Sequence, residues 1–211
     1  MRLLGIFLSL LLCCSHEESD VGERAKPTRN FTNIAKTTPS VSGMWKLTPD
    51  IKLCPNSPVD RNRMLEAVRF WELLGYSFGR VIVNDTSISC FTHGAPIYTI
   101  TVEMNNSSFD EAHAGQTELY YDSETREILG ARIYMKSSMM ELERVLEHEL
   151  GHALGWRHFN RRGHIMHGNH TRGGNNTFGM SNEIHSTMMS SFEKISKNNN
   201  EPDMIFYKCD L

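Results

Sequence analysis

His148-Glu149-Leu150-Gly151-His152-Ala153-Leu154-Gly155-Trp156-Arg157-His158 is the stretch on which the reading of this chain turns. On a helix, His148 and His152 lie four residues apart, so both imidazoles leave one face and can hold a single cation. Gly155 follows the second histidine by three residues, where a residue with positive φ ends a helix and turns the chain sharply. His158 can then swing back as a third ligand. Three nitrogens at about 2.0 to 2.1 Å leave the fourth tetrahedral position to water, which is the arrangement of a catalytic zinc site rather than a closed structural one. Glu149 is not needed as a ligand. Its carboxylate is the expected general base for that water, whose pKa zinc lowers to roughly 7, and it would hand the proton on to a leaving amine. One catalytic Zn2+ is the expected cofactor.

The helix carrying these residues is predicted to open at Ser138-Met139-Met140-Glu141, which has the form of a capping box, and to run to about Leu154. Arg144 then lies four residues before His148 on the same face. It is expected to line the pocket beside the scissile bond, limiting its depth or favouring acidic or short polar side chains; the plainer reading is a solvent-facing Arg paired with Glu141 or Glu147. An earlier helix is predicted at Ser57-Pro58-Val59-Asp60, with Ser57 as cap and Pro58 at the first helical position. Leu65, Val68, Trp71 and Leu74 recur along it at helical spacing, and Gly75 suits its left-handed end. Strands are predicted at Met44-Trp45-Lys46-Leu47 and over residues 80–83, 98–104, 117–121 and 128–135, where β-branched and aromatic residues dominate. The polar Asp122-Ser123-Glu124-Thr125 suits a hairpin-like connection, so at least one strand should be antiparallel. Residues 161–177, rich in Gly, Asn and His, have no periodicity and should be irregular, with His164, His167 and His170 exposed or hydrogen-bonded rather than forming a second metal site. A last helix is predicted from Ser181 to about Phe192, followed by a polar stretch and the apolar residues 204–207.

The H-E-x-x-H-x-x-G-x-x-H string followed by Met166 resembles the metzincin metalloproteases. Within that clan the chain is most similar to the matrixin-type branch, through Ala67-Val68-Arg69-Phe70-Trp71, Gly115-Gln116 ahead of Tyr120-Tyr121-Asp122, and the short interval from His158 to Met166. The likeness runs over roughly residues 45–189. Phe159 and His167 depart from the branch, which usually has Ser after the third histidine and Tyr or Pro after the methionine, and no cysteine-switch sequence precedes the domain. Asp20 is a candidate carboxylate plug on the zinc, although a solvated charge in a flexible tether is the preferred reading. The resemblance implies an α+β zincin fold: a twisted, mixed, five-stranded sheet, a zinc helix behind it and a small C-terminal subdomain. It implies that Met166, as the Met-turn residue, forms a floor beneath the histidines, and that a substrate peptide lies as an added strand against the sheet edge. The implied activity is zinc-dependent endopeptidase cleavage of extracellular proteins. A surface binding or adhesion protein that holds zinc with little turnover is the rival, and an amidase acting on small substrates would use the same chemistry. Structural calcium accompanies some members of the branch, but the sequence offers no convincing ligand set for it.

Composition is that of a globular protein, with 39% hydrophobic and 22% charged residues, and the net charge of -3 gives no electrostatic footprint for nucleic acid. A monomer is expected. Arg2 precedes an apolar run from Leu3 to Leu12, too short to span a bilayer, so residues 1–15 read as a signal peptide. Cleavage after Ser15 would release the protein. Alternatively, Leu11-Leu12-Cys13-Cys14 resembles a lipobox, and a lipid on Cys14 would anchor the protein at the cell surface. Residues 16–42 read as a polar tether or short pro-segment and 43–211 as the catalytic domain. Cys54, Cys90 and Cys209 remain after the signal, an odd number; Cys54 with Cys90 is the preferred pair, although sequence leaves the connectivity open. Asn30, Asn84, Asn105, Asn106, Asn169 and Asn175 begin N-x-S/T sequons, which matter only in a host that glycosylates secreted proteins.

Overall fold

A computed structural model of the chain describes residues 38–84, 86, 90, 97–104, 113–139, 142–191 and 203–210. In chain order these form β1 (Asp50–Leu53), α1 (Arg61–Glu72), β2 (Val81–Val83), β3 (Thr99–Met104), β4 (His113–Tyr121), β5 (Ile128–Met135), α2 (Val145–Ala153), α3 (Asn182–Ser190) and β6 (Asp203–Asp210). They belong to one compact unit spanning residues 31–211. The fold is α+β, as expected. Five strands are expected, whereas the sheet has six, in the order β2-β1-β3-β5-β4-β6. Two of the six, β1 and β6, fall outside the expected strands, and β6 pairs antiparallel with β4.

The first three ladders, β1 with β2, β1 with β3 and β3 with β5, are parallel, and β4 runs antiparallel to β5. Parallel strands are covered on both faces, which explains why β3 opens with four consecutive buried residues, Thr99 to Val102, instead of alternating. The connection from β4 to β5 turns where predicted, because the Asp122 Oδ1 atom accepts from the backbone N–H groups of Glu124 and Thr125 at 2.9 and 2.7 Å. The stretch Met44-Trp45-Lys46-Leu47 is not a strand. Met44 makes only an isolated bridge with Glu127, while the indole N–H of Trp45 donates to the Ala153 carbonyl at 2.8 Å, so tertiary contacts claim these residues before a ladder can.

Helix α1 begins later than Ser57 and Pro58 suggest. Asp60 is the cap, its carboxylate accepting from the Arg63 N–H at 2.8 Å, while the Ser57 hydroxyl closes a local turn on Val59. The buried face is Met64, Ala67, Val68 and Trp71, and Gly75 ends the helix at φ 87°. Cys54 and Cys90 are joined by a disulfide. Residues 38–42, read from sequence as tether, lie against the domain: the Ser42 N–H donates to the Gly155 carbonyl, the Arg157 N–H donates to the Ser40 carbonyl, and Val41 is buried.

Behind the sheet, α3 closes a buried polar chain. The Trp156 indole N–H donates to the Tyr76 hydroxyl at 2.8 Å, that hydroxyl lies 3.2 Å from His185 Nδ1, and His185 Nε2 lies 2.8 Å from the Gly43 carbonyl. A carbonyl can only accept, so Nε2 carries the proton and Nδ1 accepts from Tyr76. Burial holds the His185 pKa down, to about 4. Above pH 6.5 the imidazole is neutral in both the folded and unfolded chain; below it the unfolded chain takes a proton that the folded one refuses. Stability should therefore fall by roughly 1.4 kcal/mol per pH unit between pH 6.5 and 4 from this group, about 3 kcal/mol in all, and level off below that. Urea unfolding of wild type and His185→Gln across that range tests it, and parallel stability curves would refute the assignment.

Candidate active site

Every residue of α2 is buried, and the helix starts at Val145, not at Ser138. Residues 137–139 form a separate 3-10 turn, and Met140 and Glu141 lie outside the described residues. Arg144 precedes the helix in the left-handed region, at φ 70°, so helical spacing does not place it. It still reaches the pocket beside His148, which His167, His170 and Asn175 also line. The guanidinium is already engaged there: Nε donates to Asn175 Oδ1 at 2.5 Å, one amino group lies 3.4 Å from Glu147 Oε1, and the group stacks over the Phe70 ring at 5.1 Å. The pairing with Glu147 is therefore present, and Arg144 lines a pocket that also holds His148.

The helix ends where Gly155 was expected to end it. Gly155 adopts φ 103°, the Trp156 N–H donates to the Gly151 carbonyl and the Gly155 N–H to the His152 carbonyl, which is the Schellman arrangement. A Cβ at Gly155 would also run into the Gly43 carbonyl oxygen, so glycine is required twice over. Past the turn, the hydrogen bonds of Arg157 to Ser40 and of Phe159 to the Met166 carbonyl hold the chain on either side of His158.

His148, His152 and His158 converge, their ligand atoms all within 4.8 Å of one another. The Nδ1 atoms of His148 and His152 donate to the backbone carbonyls of Ile165 and Trp156, each at 2.7 Å, which fixes the tautomer and turns both Nε2 atoms inward. His152 Nε2 is buried without a hydrogen-bond partner, an orphan whose cost a metal ion would remove. The Nε2 atoms of His148 and His158 lie 3.3 Å apart, about the separation of two nitrogens bound 2.0 to 2.1 Å from one tetrahedral ion. Burial lowers the His148 pKa to about 3 and pushes that of His152 well below its usual value, so both rings stay neutral and their lone pairs available. The donor set fits zinc.

Glu149 is fully buried beside them. Its Oε2 accepts from the Thr117 hydroxyl at 2.5 Å, and its Oε1 has no partner. Burial raises the carboxyl pKa to about 8, against the opposing pull of the Thr117 hydrogen bond. Gly115 in β4 makes room for this carboxylate, since a Cβ there would lie 2.6 Å from Oε1. Sequence reading overlooked Thr117. Only its non-local pairing with α2 shows its part.

Met166 is fully buried under α2. A Cβ on Gly151 would lie 2.5 Å from the Met166 sulfur and 2.7 Å from the Trp71 ring, which explains the glycine inside the helix between the two ligands. Gly151→Ala is expected to cost about 1–3 kcal/mol through overpacking and to weaken zinc retention. Thermal unfolding, with zinc content measured after dialysis against a chelator, checks this; an unchanged melting temperature would mean that Met166 yields freely. The histidine cluster in the following loop is structural in part: His164 is buried, accepts from the Met166 N–H at 3.1 Å and lies 3.3 Å from the Phe178 carbonyl, and His167 Nδ1 accepts from the Asn169 N–H at 3.0 Å.

The family model described as Matrixin matches residues 80–192, which is more than half of the chain and takes in β2 to β5, α2 with His148 and His152, and α3. No curated protein matches the chain. With the donor set, the helix-ending glycine and the methionine floor all inside the matched span, the chain belongs to the matrixin family of zinc metallopeptidases.

Proposed function

We propose that the protein is a zinc-dependent endopeptidase that cleaves extended segments of extracellular proteins. The observation that carries this is the buried Glu149 carboxylate, held by Thr117 on one oxygen and unpartnered on the other, beside three converging imidazoles. His148, His152 and His158 would hold the ion, which supplies Lewis-acid polarisation of the scissile carbonyl. Glu149 Oε1 is the atom placed to take a proton from the attacking water and return it to the leaving amine, while Thr117 keeps the carboxylate from rotating away. A structural site has no use for a free carboxylate oxygen at this position. The test is a proteomic cleavage assay of the purified chain with and without a chelator, and with zinc restored. Cleavage of unfolded proteins that vanishes with the metal and returns with it supports the reading. Zinc binding with no hydrolysis of any protein substrate would sink it and leave the binding-protein rival.

Specificity is proposed to depend on Arg144. Its charge is partly spent on Asn175 and Glu147, so its effect should be on pocket depth more than on charge. Arg144→Ala should admit larger residues just after the scissile bond in a peptide-library profile; an unaltered profile would remove Arg144 from the specificity pocket.

Export is part of the same proposal. It rests on the sequence of residues 1–15, which lie outside the described residues, and is supported by the Cys54–Cys90 bond, since disulfides persist in oxidising compartments. The mass of the mature N-terminus distinguishes release after Ser15 from a lipid on Cys14.

A further inference from the structure

Without β6, strand β4 would be the edge of the sheet on the side of the metal site, and an edge strand offers a row of unpaired N–H and C=O groups to any extended chain. Here the row is taken. β6 pairs with β4 from His113↔Asp210 to Tyr121↔Asp203, and the ladder includes Gly115, which abuts Glu149, and Thr117, which holds it.

Tyr207 sits opposite Thr117 in this ladder. Its ring lies parallel to that of the ligand His152, 2° between planes and 4.2 Å between centroids, and only 8% of the residue is exposed. Its hydroxyl is hydrogen-bonded to the Ser42 hydroxyl, which also accepts from Arg157 Nε at 2.7 Å. Ile205 packs towards the core two residues before Tyr207, while Met204 and Lys208 are exposed, the alternation of a strand seated on a surface.

We propose that residues 203–210 are an autoinhibitory strand: they occupy the edge on which a substrate would add, with Tyr207 laid over the metal site, and must leave before an extended peptide can bind. This rests on the peptidase reading above in placing the substrate on β4. The competition follows from the ladder itself, because one set of β4 backbone groups cannot pair with two chains at once. Apparent affinity for substrate is then scaled down by the fraction of molecules in which β6 has detached. A substrate of higher affinity displaces the segment, and proteolytic removal of it has the same effect.

The experiment uses the zinc-loaded full chain carrying Glu149→Gln, so that binding is read without turnover. The probe is a fluorescent, extended peptide. Adding Tyr207→Ala should tighten its binding by about tenfold or more, since loss of the stacked ring raises the detached fraction. A synthetic peptide of residues 203–210 should compete with the probe, and the β4 amides should exchange hydrogen faster in the variant. Should Tyr207→Ala not fold, a chain ending at Pro202 serves for the same comparison. Equal probe affinity with and without Tyr207 would overturn the proposal and make β6 a purely structural strand. A chain that binds the probe more tightly after Tyr207→Ala but hydrolyses nothing when Glu149 is present would sink the peptidase reading and leave this one standing.

Discussion

Glu149→Gln is expected to lower kcat by about 10²- to 10⁴-fold, the usual contribution of a positioned acid–base group, with zinc content unchanged. The substitution is nearly isosteric, so the side chain keeps its place between Gly115 and Thr117. Thr117 can also turn its hydroxyl to the Glu149 backbone carbonyl, 3.2 Å away. What is lost is the ability of Oε1 to accept a proton. Because the carboxylate is fully buried with one oxygen unpartnered, its removal should not destabilise the fold, and the melting temperature should hold or rise. His152→Ala should behave differently, losing zinc and activity together. The contrast assigns chemistry to one residue and metal retention to the other. A Glu149→Gln protein retaining a tenth of wild-type kcat would end the general-base role, and one that lost its zinc would make Glu149 a ligand.

The convergent histidines were legible because their geometry is local. His148 and His152 are set by helical spacing, and Gly155 by the one backbone conformation that glycine adopts without strain, so neither depends on knowing the rest of the fold. Strands β3 and β5 were legible from β-branched runs for the same reason. Arg144 was placed by helical spacing that the chain does not follow: the S-x-x-E pattern suggested a helix from Ser138, but the chain makes a short 3-10 turn there and enters α2 through a left-handed residue. What escaped was non-local. Thr117 meets Glu149 across 32 residues and Arg63 meets Glu147 across 84. The apolar residues 204–207 were visible as a run, but nothing in the run names β4 as a partner or predicts the stack of Tyr207 on His152, so β6 was not expected.

The Arg63–Glu147 pair predicts a large stability loss from a substitution that touches no metal ligand. Glu147 has 3% of its side chain exposed, and Arg63 grips it with two hydrogen bonds of 2.8 and 2.6 Å. Such fork-to-carboxylate geometry is the strong form of ion pair, and removing one partner of a buried pair costs about 3–5 kcal/mol because it strands the other charge. Arg63 itself keeps 21% exposure, and Arg144 stands 3.4 Å from the same Glu147 oxygen, so water and a second cation relieve part of that cost. Arg63→Ala should therefore lose about 2–3 kcal/mol in urea unfolding, and Arg63→Lys less, since it keeps the charge but not the fork. Adding Glu147→Gln to Arg63→Ala should recover stability, because the stranded charge is gone. Strict additivity of the two single losses would show that the pair is not coupled. The effect should extend to the metal site: Glu147 immediately precedes His148, and its carbonyl accepts from the Trp71 indole at 2.9 Å, so α1 grips the first turn of α2 through both backbone and side chain. Loosening that grip should weaken zinc retention under chelator challenge even though Arg63 touches no ligand.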